Sequence, residues 1–149
     1  LIFVTYTILE VWLILSANNK ENYISLFTII TITVASDLGG YIFGKLFGGK
    51  KLSSISPNKT YSGVLGAYIL SIISVFLFFK NFYEYDHVII ISLIISTISQ
   101  LGDLFISLLK RKAKIKDTGV LLPGHGGLLD RFDGMIFTIP LGLLLFKFI

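Results

Sequence analysis

From Ser62 to Phe79 the chain runs through eighteen residues without a charged side chain. A run of that length and composition reads as a helix that crosses a bilayer. Residues 24–43 and 87–109 are similar runs, the second about 34 Å long as a helix. Residues 1–15, about 22 Å as a helix, and residues 134–149 are shorter apolar segments. Hydrocarbon offers no water to backbone N–H and C=O groups, so separate spanning segments must satisfy them internally, as helices do. The expectation is an all-α, polytopic integral membrane bundle of about five transmembrane helices, forming one domain over residues 1–149. Composition agrees, with 54% hydrophobic residues and a mean hydropathy of +0.82, above the apolar share of soluble domains. The chain opens on Leu1-Ile2 inside an apolar run that has no basic leader region. It is therefore expected to be the C-terminal part of a longer protein.

Small residues recur every fourth position on two of the spans. Ser36, Gly40 and Gly44 form one stripe, and Gly63, Ala67 and Ser71 the other; such stripes let helices approach closely. Glu10, near Tyr6 and Trp12, faces either a bundle interior or an interface. The short segments Ser16–Tyr23 and Lys80–Asp86 read as polar loops, the latter with Phe82, Tyr83 and Tyr85 suited to an interfacial belt. His87 reads as a structural or solvated residue. Lys147 is placed to snorkel to the far interface. With no cysteine in the sequence, thiolate metal sites are excluded. The formal charge of +4 has no aromatic-interleaved basic patch outside the loops, which argues against nucleic acid as a partner.

Two acids lie inside spans. Asp37 is in the second and Asp103 in the fourth, each about 10 Å before a loop; an ionisable group there is costly and marks a functional site by default. Ser92, Ser96, Ser99, Asp103, Ser107 and Lys110 follow one another at intervals of three or four residues, so one helix face carries a polar stripe into the following loop.

That loop is the densest chemistry in the chain. Residues 107–133 hold six of the thirteen basic and three of the nine acidic residues. Lys110, Arg111, Lys112, Lys114 and Lys116 form a cluster of the kind that holds phosphate. Pro123 to Gly127, with His125 between glycines, is a turn whose backbone N–H groups can approach an anion. Asp130 and Asp133 share a face if D-R-F-D is helical, a spacing that suits Mg²⁺ with waters and substrate phosphate. Cations beside a span also serve as a topology signal, and Asp117 can pair with a neighbouring lysine. His125 has three readings: phosphate donor, turn residue, or acid–base group. Ser56 to Thr60 makes a second turn, placing Lys59 and two hydroxyls for a phosphate or for capping the next helix.

The stretch resembles the signature of the phosphatidate cytidylyltransferases, or CDP-diacylglycerol synthases. Ser107, Lys110-Arg111, Lys116-Asp117, Gly119, Pro123, His125-Gly126-Gly127, Asp130-Arg131 and Asp133 fall at that family's spacing. A second block matches at Asp37, Gly39, Tyr41, Gly44, Lys45 and Ser56 to Thr60, and a third at the L-G-D-L-F-x-S run containing Asp103. The chain departs from the pattern at Tyr61-Ser62, where Trp-Glu is commoner, and at Ile106, where an acid is common.

The resemblance implies attack by a phosphatidate phosphate oxygen on the α-phosphorus of CTP, giving CDP-diacylglycerol and pyrophosphate with Mg²⁺. A second cation, monovalent or divalent, is left open. It supports Asp103 and Asp130 as metal ligands, with Asp133 as a third ligand or a supporting group, and Asp103, Lys110, Arg111, Asp130 and Asp133 are assigned to catalysis. Asp37, Lys59, Lys116, His125, Gly126, Gly127 and Arg131 are left to contact substrate. The bilayer is a partner, and upstream helices are left to supply a lipid groove or a homodimer contact. Ten loop cations against two place the loops after the second and fourth spans on the cytoplasmic side of a bacterial-type inner or plasma membrane. Two rivals are weighed: a CTP-dependent polyprenol or phytol kinase, and a transporter relaying ions through Asp37 and Asp103.

Overall fold

A computed structural model describes residues 2–17, 19–53, 56, 58–79, 81, 85–115 and 134–147. Five helices account for most of them: α1 (Ile2–Ala17), α2 (Lys20–Phe47), α3 (Tyr61–Phe79), α4 (Tyr85–Lys112) and α5 (Met135–Phe146). Three of these, α2, α3 and α4 from His87, are long and apolar enough to cross a membrane, and α5 is a shorter apolar helix. The all-α membrane bundle read from the sequence is the fold observed.

The bundle is layered as its environment requires. Ile29, Ile32, Val75, Val88, Ile91 and Ile95 are fully buried and make the interior. Trp12, Phe27, Leu65, Leu77, Phe78 and Leu101 lie exposed on the outside, as befits helices whose solvent is lipid. Small hydroxyl side chains are buried as well, all but Ser99 tied to a carbonyl or to another hydroxyl. Thr33 and Thr138 pair at 3.1 Å between α2 and α5, while Ser36 and Ser96 pair at 2.9 Å between α2 and α4. In a membrane interior such bonds fix helix register where apolar packing alone discriminates poorly.

Two segment boundaries differ from the sequence reading. The expected polar loop over 16–23 is almost wholly helical, since α1 continues through Ala17 and α2 begins at Lys20. Asn19 makes the tight entry work: its side chain accepts from Glu21 N at 3.0 Å, and Glu21 sits in the first turn, where the helix dipole favours an acid. The basic loop after the second span begins only at Gly48, because α2 runs on through Gly44 and Lys45 to Phe47. Gly48 and Gly49 then take φ of 58° and 105°, a left-handed backbone that ends the helix and that glycine adopts at least cost.

The tightest helix contact is between α2 and α3. A Cβ at Gly39 would strike the backbone carbonyl of Gly66, and one at Gly63 would come within 2.7 Å of Gly40 O. The two small-residue stripes thus face one another, with the closest approach one residue away from the expected stripe on α2. The expected interfacial belt at Phe82 and Tyr83 lies outside the described residues. Glu10 is half-buried on α1.

Candidate active site

The loop between α2 and α3 folds back on itself before entering α3. Leu52 N donates to Lys59 O at 2.7 Å, Lys59 N to Ser56 O at 3.1 Å, and Tyr61 N to Lys50 O at 3.2 Å. Ser62 Oγ donates to Gly48 O. This clasp fixes the backbone of Lys59 at the mouth of the bundle. Thr60 then caps α3, its Oγ1 accepting from Gly63 N at 3.2 Å. Of the two uses open to the S-P-N-K-T turn, Thr60 takes the capping one and Lys59 is left for charge. Thr60→Ala is expected to lower stability by about 1 kcal/mol, read as a lower unfolding midpoint of the detergent-solubilised protein.

Lys59 Nζ lies 3.0 Å from Asp103 Oδ2, with 28% and 25% of the two side chains exposed. A further contact runs from Lys59 Nζ to Gln100 O at 3.5 Å. Residues far apart in sequence, one from a loop and one from mid-α4, therefore meet at one point. Both line a cavity of about 290 Å³ enclosed by α2, α3, α4 and the clasp, and Asp37 lines it from α2. Two acidic side chains and one ammonium thus face one another across the cavity, and ionised acids in such a setting attract a cation.

One polar side chain that the sequence reading passed over completes the wall. Gln100 lines the cavity and donates from Nε2 to Ser96 Oγ at 3.3 Å, extending the Ser36–Ser96 pair into a polar floor. Its position one turn after Ser96 was the signal available. Ser99 Oγ is buried and, among the described residues, has no hydrogen-bond partner. Gly134 abuts this place: a Cβ there would lie 2.8 Å from Ser99 Oγ and 3.1 Å from Asp103 Oδ1. Tyr41 also lines the cavity and is exposed. Lys45 Nζ stands 5.7 Å from the Tyr41 ring centroid, so Asp37, Tyr41 and Lys45 mark one face of α2 at four-residue intervals.

The polar stripe on α4 is as expected in its inner half, for Ser92, Ser96 and Ser99 are all buried. Lys110 and Arg111 lie in the last turn of α4, and neither is among the residues that line the cavity. Lys116, His125, Gly126, Gly127, Asp130, Arg131 and Asp133 lie outside the described residues.

The donor set can be weighed against Mg²⁺. Among the described residues no three acidic, histidine or cysteine side chains gather, so Asp37 and Asp103 are the carboxylates available in the cavity. Mg²⁺ is ordinarily held by one or two protein carboxylates, with waters and substrate phosphate completing an octahedron. The two-acid wall fits that pattern, and the orphan Ser99 hydroxyl one turn before Asp103 adds a polar atom in need of a partner.

Residues 1–149 match the sequence model of the Cytidylyltransferase family. A phosphatidate cytidylyltransferase of Staphylococcus haemolyticus is 46% identical over 119 residues, which is 77% of this chain and 45% of the relative. Phosphatidate cytidylyltransferases of Staphylococcus aureus and of Synechocystis are 44% and 42% identical over 119 and 111 residues, or 77% and 72% of the chain. The Staphylococcus aureus match takes in 45% of that relative and the Synechocystis match 38%. The chain thus spans less than half the length of these relatives. A match along its whole length, on a helical membrane scaffold that gathers Asp37, Lys59 and Asp103 around one cavity, makes this chain a member of the cytidylyltransferase family.

Proposed function

We propose that this chain carries the reaction centre of a membrane enzyme that transfers a cytidylyl group from CTP to phosphatidate, releasing CDP-diacylglycerol and pyrophosphate. The observation that carries the reading is the convergence of Asp37, Lys59 and Asp103, from two helices and a loop, on a single cavity. In the reaction, an oxygen of the lipid phosphate forms a bond to the α-phosphorus of CTP as the bond from that phosphorus to the α–β bridging oxygen breaks. The nucleophile is already anionic near neutral pH, so no strong general base is required. What the protein must supply is alignment and charge compensation.

Asp37 and Asp103 would hold Mg²⁺, with Asp130 and Asp133 proposed as further ligands or supporting groups. Bound there, the ion neutralises charge on the phosphates. Lys59 offers a mobile ammonium to the same anions, and Asn58 lines the cavity beside it. Lys110, Arg111, Lys116, Arg131, His125 and the Gly126-Gly127 backbone are proposed as further phosphate donors. The cavity lies about 15 Å from the end of α2, taking Asp37 as its level. Such a site can be reached by a lipid headgroup from the bilayer and by a nucleotide from water. The charge asymmetry of the loops supports placing this mouth on the cytoplasmic side.

Full-length protein in detergent or vesicles, given CTP, phosphatidate and Mg²⁺, is expected to form pyrophosphate and a cytidine-bearing lipid. Chelation of Mg²⁺ is expected to bring the rate to background while the protein stays folded by circular dichroism. Release of CDP in place of pyrophosphate would move the assignment to a CTP-dependent lipid kinase.

A further inference from the structure

We infer that Lys59 is an exchanging counter-ion, which neutralises Asp103 in the substrate-free protein and passes to a substrate phosphate when a divalent cation takes the carboxylate. This rests on the reading of Asp103 as a cation ligand in the proposed reaction.

Three observations carry it. First, Lys59 Nζ already occupies Asp103 Oδ2 at 3.0 Å, an oxygen that a divalent cation would need. An ammonium and a doubly charged ion cannot share that position without strong repulsion, so the two compete. Second, the backbone of Lys59 is held by its bonds to Ser56 O and Leu52 N, while the side chain has a flexible four-carbon stem. Rotation of the side chain alone can carry Nζ from Asp103 into the open cavity that Lys59 lines with Asn58 and Thr60. The clasp stays in place throughout. Third, the pair is partly exposed, with 28% and 25% of the side chains accessible. An ion pair of that kind is weak enough to be exchanged, whereas a fully desolvated one would be costly to break.

The consequence is a coupling between ligands. Without nucleotide, the cation must displace Lys59 and cost its ammonium the Asp103 carboxylate. When a triphosphate is present, the displaced ammonium gains an anion, so each ligand strengthens the other by the same factor. Lys59 is thus a device that favours loading cation and nucleotide together and disfavours an enzyme charged with metal alone.

The test is binding of Mn²⁺ to full-length protein, followed by the loss of its free electron paramagnetic resonance signal, with and without CTP and with no phosphatidate present. In the natural protein CTP is expected to tighten Mn²⁺ binding. Lys59→Met is expected to bind Mn²⁺ alone at least about fivefold more tightly, since a competing charge has been removed. In the same variant the tightening by CTP shrinks toward none. Lys59→Arg, which keeps the charge, is expected to keep both properties, and this separates exchange from a general disturbance of the site. Equal or weaker Mn²⁺ binding by Lys59→Met without nucleotide, in protein that retains its helical circular dichroism, overturns the inference. The proposed reaction is judged separately by pyrophosphate release, so tighter Mn²⁺ binding in a protein that forms no pyrophosphate would remove the reaction and leave the exchange standing.

Discussion

Asp103→Asn is expected to lower pyrophosphate release by at least about a hundredfold, the scale on which a single preorganised electrostatic contact at a reaction centre acts. The substitution keeps size and removes charge. Lys59 would lose the carboxylate 3.0 Å from its ammonium, and the cavity would lose one negative charge, a poorer place for a divalent ion. Membrane insertion and folding should be nearly unchanged. α4 is held elsewhere, by Ser36–Ser96 at 2.9 Å, by Tyr68–Thr97 at 3.0 Å and by Gly102 packed on Phe137. The variant is therefore measured in two ways: turnover with CTP and phosphatidate, and yield plus thermal midpoint in detergent. Near-normal turnover at normal yield would sink the assignment of Asp103 to the reaction centre.

Gly39→Ala is expected to be as damaging, by a different route. Its Cβ would be driven into the Gly66 carbonyl, with Gly66 C at 2.8 Å and Ala67 Cα at 3.0 Å. These are backbone atoms of a neighbouring helix, so no side chain can rotate away. The helices must separate, at a cost of about 1–3 kcal/mol or more for overpacking. Separation also matters for chemistry, because Asp37 stands two residues from Gly39 and Lys59 four residues before Gly63. A displacement on the order of 1 Å at such a site costs roughly a hundredfold in rate. Gly40→Ala is the control: its Cβ would meet only Gly63 O at 3.8 Å, an ordinary contact. A thermal midpoint for Gly39→Ala equal to that of Gly40→Ala would refute the close-packing account.

These two residues also show how far the sequence could be read. Asp103 stood out because an acid between apolar turns has few reasons to be there, and the structure puts it on the cavity. The four-residue stripes marked α2 and α3 each as a helix that another could approach closely, since small side chains at that spacing share a face, and the structure packs the two on each other. They named Gly40 where the hardest contact is at Gly39, because the crossing geometry that decides which backbone atoms touch is a property of two helices together. Gln100 was overlooked for a similar reason. A glutamine inside a span has no distinctive signal until its neighbours are known.

The number and order of the apolar segments, the placement of charge in the loops and the identity of the chemical groups were all written along the chain, for each follows from local composition and from what a bilayer tolerates. Whether Asp37, Lys59 and Asp103 belong to one site was not. It depends on two glycine-lined helices meeting at backbone contact and on a clasped loop that aims one lysine inward, and such long-range contacts have no local trace in the order of residues.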